Sequence, residues 1–227
     1  MYDLVEPMSE LFVKSKIVVL DFSQIAENVA DAGNIEAFFR RTTEKGENPR
    51  EPQLRQRFND DMINATGCRY LVGRYGEDRI AMLTDTPAGR SGRTIHMALD
   101  IFSKNLEPVY SPCDAEIIAS DYEQGFGEYG NYLILKPSDE KYYIFLGHLG
   151  KDRVGVGAVN KGQQIAHLGS WENNENGGWS RHLHLQILKK LSKNGSTPDG
   201  YSSREDYSAN SLLYPDPMTY FPKWKVK

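Results

Sequence analysis

The chain is poor in cysteine. Cys68 and Cys113 are the only two among 227 residues, too few for a disulfide framework and not spaced as a zinc–thiolate site. Both read as reduced residues. No apolar run approaches the roughly 20 residues that a spanning helix needs, so no membrane partner is expected. Positive charge is not in excess. With 27 Lys+Arg against 31 Asp+Glu, a formal net charge of -4 and a pI near 5.8, counterion release cannot drive general binding, and no nucleic-acid partner is expected. Met1 to Glu10 carries Asp3, Glu6 and Glu10 with no basic stretch leading into an apolar one, so no secretory signal is read and a cytoplasmic location is expected. What is present, 39% hydrophobic and 26% charged residues at a mean hydropathy of -0.57, describes a globular chain able to bury a continuous core.

Two textures divide the chain and predict an N-terminal helical and extended segment over 1–66, then a β-rich domain over 67–227. Residues 16–22 (KIVVLDF) are a β-branched run that suits a buried strand, followed by Ser23 as an N-cap. Ile25, Val29, Ile35, Phe38 and Phe39 recur at helical spacing with a break at Gly33. A polar stretch over 42–56, holding Pro49 and Pro52, reads as an exposed connection, and a further helix over 54–63 ends near Gly67. From Arg69 onward, short strands are expected at 70–72, 80–83, 108–110, 115–119, 132–136, 142–146, 163–167 and 182–188, separated by Gly, Asp, Asn, Pro and Ser clusters. The expected fold class is mainly β with an antiparallel sheet core and an N-terminal α-helical segment, α+β overall. The polar stretch 193–207 reads as a mobile loop, after which Leu212, Leu213, Tyr214, Tyr220, Phe221 and Trp224 dock the terminus onto the body.

Histidine carries the chemistry. Of five histidines, four fall in three short segments: His96 with Asp100, His148, and the pair His182 and His184. In Arg181-His182-Leu183-His184-Leu185-Gln186-Ile187 the strand alternation puts His182, His184 and Gln186 on one face, the two imidazoles about 7 Å apart at Cα. Such a face can line one cavity, or it can be a polar surface with histidines in solvent. His96 and Asp100 on a straight strand would lie about 13 Å apart at Cα, too far to share a metal, so the chain must bend between them. Taken with His184 they supply the two imidazoles and one carboxylate that an open catalytic zinc site requires, although His182 shares the strand face of His184.

His-x-x-x-Asp at 96 to 100, Gly147-His148-Leu149 at a strand end and His182-Leu183-His184 occur in an order that resembles the lysostaphin-type zinc metallopeptidases, which have the duplicated hybrid motif fold. The likeness covers about residues 90 to 190 and includes Pro108-Val109-Tyr110-Ser111-Pro112, Lys161-Gly162-Gln163 and Gly177-Gly178. It implies Zn2+ held by His96, Asp100 and His184, with His148 and His182 as catalytic groups that do not ligate. It further implies hydrolysis of a peptide or amide bond by a metal-activated water, with a peptide or peptidoglycan fragment as substrate. Ala98, Ala115 and Leu146 depart from residues common in that family; none removes a donor, and they bear on substrate fit. Arg69 to Arg79, with Glu175-Asn176-Gly177-Gly178-Trp179, is also similar to a peptidase-like module of cytoplasmic proteins fused to a kinase-like phosphotransferase and a class III aminotransferase.

The remaining features have plainer readings. His167 lacks motif context and reads as a surface or structural residue. Lys189, Lys190 and Lys193 read as a solvated strand end. Gly125, Gly127 and Gly130 lack the lysine of a phosphate loop and read as a hairpin rimming a cleft. Trp171 and Trp179 bracket a polar loop, either facing substrate or packing beneath it, and Cys113 has no histidine close by in sequence to make it a nucleophile. Two rival functions remain: a catalytically silent binding or regulatory module on the same fold, and a lipoyl-like carrier domain, which leaves the histidines without a task.

Overall fold

The computed structural model describes residues 17–20, 45–46, 48, 51–67, 69–83, 86–138, 140–192 and 197–220. The helices expected over 25–39 lie outside these residues, as do Cys68, Lys193, Phe221 and Trp224. The fold is mainly β. One eight-stranded sheet runs in the order β1 (Ile17–Leu20), β2 (Tyr70–Gly73), β4 (Leu99–Phe102), β11 (His182–Leu188), β8 (Tyr143–Leu149), β7 (Gly130–Pro137), β6 (Ala115–Glu123) and β9 (Gly157–Val159). All its pairings are antiparallel except β1 with β2. Two small antiparallel pairs complete it: β5 (Pro108–Tyr110) with β10 (Gln164–His167), and β3 (Ile95–His96) with β12 (Tyr201–Ser202).

Alternation on the central strands builds the core. Leu183, Leu185 and Ile187 of β11 join Leu99 and Ile101 of β4, Ile144 and Leu146 of β8 and Leu133 and Leu135 of β7, all buried in one cluster. Val109, Ile165 and Ala166 of the β5–β10 pair belong to the same cluster, so that pair lies over this face of the sheet. The opposite face of β11 is left to His182, His184 and Gln186, and it is buried too.

Helix α1 (Pro52–Thr66) starts with proline in its first turn, where no intrahelical N–H bond is lost, and stops at Gly67, whose φ of +62° is the left-handed cap glycine favours. It begins earlier than the sequence implies, and Arg55 and Gln56 are buried, not part of an exposed connection. Gln56 clamps two strand ends: Nε2 donates to Ser103 O at 2.9 Å, and Oε1 accepts from Arg181 N at 2.7 Å. Phe58, Met62 and Ile63 of α1 pack with Leu71, Met82, Leu83, Phe102 and Trp179 in a second cluster. Burial of side chains of this size stabilises by about 1.5–3 kcal/mol each.

Two further sequence expectations are corrected. Residues 80–83 form a short helix, α2 (Ile80–Leu83), not a strand. Four consecutive apolar residues fit either element, and the outcome is decided where Arg79 O accepts from Met82 N and Leu83 N at 3.0 and 3.1 Å. A second short helix, α3 (Pro87–Arg90), follows, its N-cap Thr86 accepting from Gly89 N. Nor is 197–207 a free loop: Tyr201 and Ser202 pair with His96 and Ile95, and helix α4 (Tyr207–Leu213) starts at its end. At the C-terminus Met218 and Tyr220 pack on the core, whereas Leu212 stays exposed.

Candidate metal centre

The bend required between His96 and Asp100 falls at Met97 and Ala98, which separate β3 from β4; Met97 N donates to Gly200 O at 3.0 Å there. Register then sets Asp100 opposite His184 on the neighbouring β11. One ligand atom from each of His96, Asp100 and His184 lies within 4.8 Å of the others, all three residues buried. His96 Nδ1 is 3.0 Å from Arg74 O, while its buried Nε2 has no hydrogen-bond partner and sits 3.3 Å from Asp100 Oδ2. His184 Nε2 lies 3.0 Å from Gln186 Oε1, and its Nδ1 lies 3.1 Å from Asp100 Oδ1. One nitrogen of each ring is thus held from outside, and the other meets the carboxylate. Two imidazole nitrogens and a carboxylate, with one nitrogen buried and unpaired, fit a metal ion such as zinc.

His148 and His182 stand beside this trio, their ring centroids 4.3 Å apart. Each Nδ1 meets a backbone carbonyl, Asn176 O at 3.0 Å and Ser180 O at 2.7 Å. A carbonyl only accepts, so Nδ1 carries the proton in both and Nε2 keeps its lone pair. His182 stacks on Phe102 at 4.8 Å, and its Nε2 is 3.7 Å from Asp100 Oδ1. His148 has a φ of +61°, a left-handed conformation uncommon for a histidine and held by its place in the fold.

The loop that supplies the Asn176 carbonyl is pinned by glycines. A Cβ on Gly177, whose φ is +70°, would stand 1.8 Å from Glu128 O; one on Gly130, at φ +62°, would stand 2.2 Å from Glu175 O. Gly177→Ala is therefore expected to lower the unfolding midpoint by roughly 5 °C or more, from left-handed strain and the clash together, as read by scanning calorimetry. An unchanged midpoint would contradict this packing.

Burial lowers the three histidine pKa values. Desolvation, and then the Arg79 charge, takes His96 from 6.5 to about 4; desolvation takes His182 to about 4 against the pull of Asp100; desolvation and then His182 hold His148 well below 6.5. Burial alone would raise Asp100, but His96 and the Arg79 guanidinium outweigh it and hold the carboxyl well below its ordinary value. Above about pH 7.5 these histidines are neutral in both the folded and the unfolded chain and add nothing to pH dependence. As pH falls toward 4 the unfolded chain takes up protons first, so stability is lost across that window. Melting curves of chelator-treated protein should show the midpoint falling steadily between pH 7 and 5. A flat profile would mean that the imidazoles are not buried.

Asp100, His148, His182 and His184 line a cavity of about 190 Å³, with Phe58 of α1, Met82 of α2, Trp179, Tyr129 and Glu128 among its walls, whereas His96 is fully buried and not part of that lining. Trp179 both packs in the second cluster and lines the cavity, while Trp171 lies away from it under the Arg181 guanidinium at 4.7 Å. The hairpin between β6 and β7 rims the opening through Phe126 and Gly127. His167 is 40% exposed and pairs with Asp152, and Lys189 and Lys190 are exposed at a strand end. Cys113 is buried, its thiol pushed up to about 12 by desolvation. Sequence reasoning gave no site role to Arg79, Glu77, Tyr129 or Tyr201, although residues 69–79 carried the second of the two resemblances.

Residues 94–198 match the family model of peptidase family M23. The match spans a little under half of the chain. The lysostaphin-type resemblance of the motifs and the mainly β fold agree with it. Among solved structures, the chain is similar to the catalytic domain of lysostaphin from Staphylococcus simulans, with 24% identity, 56% of this chain and 79% of that one covered, and a TM-score of 0.41. Against the longer structure of lysostaphin the values are 23%, 57%, 45% and 0.42. Against a zinc-containing peptidase from Vibrio cholerae they are 26%, 46%, 31% and 0.36. The chain thus spans less than half the length of the last two. No curated protein matches the chain. Among the described residues no helix is long and apolar enough to cross a membrane.

Proposed function

We propose that the chain is a zinc-dependent hydrolase of a peptide or amide bond, with His96, Asp100 and His184 holding the metal and His148 and His182 as catalytic groups. The observation that carries this reading is the trio of donor atoms within 4.8 Å beside two imidazoles that each keep Nε2 free of their backbone anchor. Zinc in such a site supplies a Lewis acid that acidifies water and polarises the scissile carbonyl. The protein's own part is proton handling. One of the two neutral imidazoles, His148 or His182, accepts a proton at Nε2 from the attacking water, and the imidazolium so formed passes that proton to the leaving amine as the carbon–nitrogen bond breaks. Low histidine pKa values keep both rings neutral, and so ready as bases, at neutral pH.

The substrate is a peptide or a peptidoglycan-type fragment of small size. Phe58 of α1 and Met82 of α2, both outside the M23 segment, wall the cavity and narrow access to the histidines. Purified zinc-loaded protein incubated with short peptides and with peptidoglycan, followed by detection of new amino groups, tests this. Cleavage abolished by chelator and restored by zinc is expected. A zinc-loaded chain that turns over no amide would overturn the enzymatic reading in favour of a binding module.

A further inference from the structure

Residues 74–79 lie outside the segment matched to family M23, yet they surround His96 and Asp100. Gly76 N donates to His96 O at 2.8 Å, His96 N to Glu77 O at 2.8 Å and Arg79 N to Thr94 O at 2.9 Å, so this stretch lies along β3 like an added strand. Asp78 forms a bridge with Ile95 in the same ladder. The pairing fixes the backbone that presents Arg79, whose side chain is 1% exposed. Its Nη1 donates to Asp100 Oδ2 at 2.5 Å and its Nε to Glu77 Oε2 at 3.2 Å. Glu77 is buried as well, with Arg74 Nε 3.6 Å from its Oε1.

A buried guanidinium is tolerated where carboxylates pair with it and take up its donors. Here one of those carboxylates is Asp100, which the reading above makes a metal ligand. Its oxygens are divided between neighbours: Oδ2 receives Arg79 and lies 3.3 Å from His96 Nε2, while Oδ1 faces His184 Nδ1 at 3.1 Å. We propose that Arg79 is a positioning residue of the metal centre: it anchors Asp100 through Oδ2, leaves Oδ1 as the single ligating oxygen, and compensates the buried carboxylate while no metal is bound. The proposal rests on the zinc reading. Arg79 and the metal then play overlapping electrostatic parts, each offsetting the same negative charge, so losing one should make the fold depend on the other.

The test uses the full chain and does not depend on activity. Wild type, Arg79→Lys and Arg79→Met are melted after chelation and again after zinc saturation, and zinc-loaded wild type and Arg79→Met are crystallised. Chelated Arg79→Met is expected to melt roughly 10 °C below chelated wild type, because buried Asp100 and Glu77 both lose their guanidinium partner. Zinc should close the part of that gap that comes from Asp100, and Arg79→Lys, which keeps the charge, should show little of it. In the crystals Asp100 should bind zinc through one oxygen in wild type and through two in Arg79→Met. A gap that zinc leaves unchanged would reduce Arg79 to a packing residue, and wild-type zinc bound by both oxygens, with Arg79 displaced, would overturn the proposal even if Arg79→Met does not fold. Absence of zinc from every variant would instead overturn the metal reading, and this proposal with it.

Discussion

His184→Ala is expected to empty the metal centre. Wild type purified without added metal should carry about one zinc per chain by elemental analysis, and the variant close to none, with turnover on the best peptide substrate falling at least ~100-fold. His184 lies on β11 between β4 and β8, so its backbone is held on both sides and the fold should survive loss of the ring. Gln186, two residues on, is held by its Nε2 bond to Asp199 O at 3.1 Å. A circular dichroism spectrum like that of wild type would establish that the loss is one of ligation. Full zinc retention in this variant would sink the assignment.

Removing His148 or His182 should separate metal binding from catalysis. His182→Ala and His148→Asn are expected to keep about one zinc and a wild-type fold while losing roughly 100-fold or more in turnover, the scale of a lost proton-transfer or oxyanion group and about 2.7 kcal/mol in the barrier. Asparagine is the better choice at 148, because the φ of +61° there strains most side chains and asparagine tolerates it. His182→Ala also forfeits the stacking on Phe102 at 4.8 Å, so a lower melting temperature should accompany the kinetic loss. Loss of zinc from either variant would mean that a ligand and a catalytic group have been exchanged. The risk is greater at His182, whose Nε2 already stands 3.7 Å from Asp100 Oδ1.

Local pattern determined much of this protein. Period-two alternation marks β11 at the bounds it has, 182–188, and the apolar half of that alternation enters the core. Strand signals over 115–119 and 132–136 lie within the longer β6 and β7, and Gly67 ends α1 where the sequence places its stop. The five residues named from the motifs meet in one buried cluster, because a strand fixes which neighbours share a face and the chain bends at Met97 and Ala98 between β3 and β4. Tertiary structure decided the rest. Residues 80–83 are helical through bonds to Arg79 O, and 201–202 is ordered by a strand more than a hundred residues earlier. The ring nitrogens that stay free in His148 and His182 are chosen by the carbonyls of Asn176 and Ser180, and the oxygens of Asp100 are divided by Arg79. Periodicity reports only which side of an element is apolar, whereas hydrogen bonds and buried charges are satisfied by partners that folding brings together from distant parts of the chain.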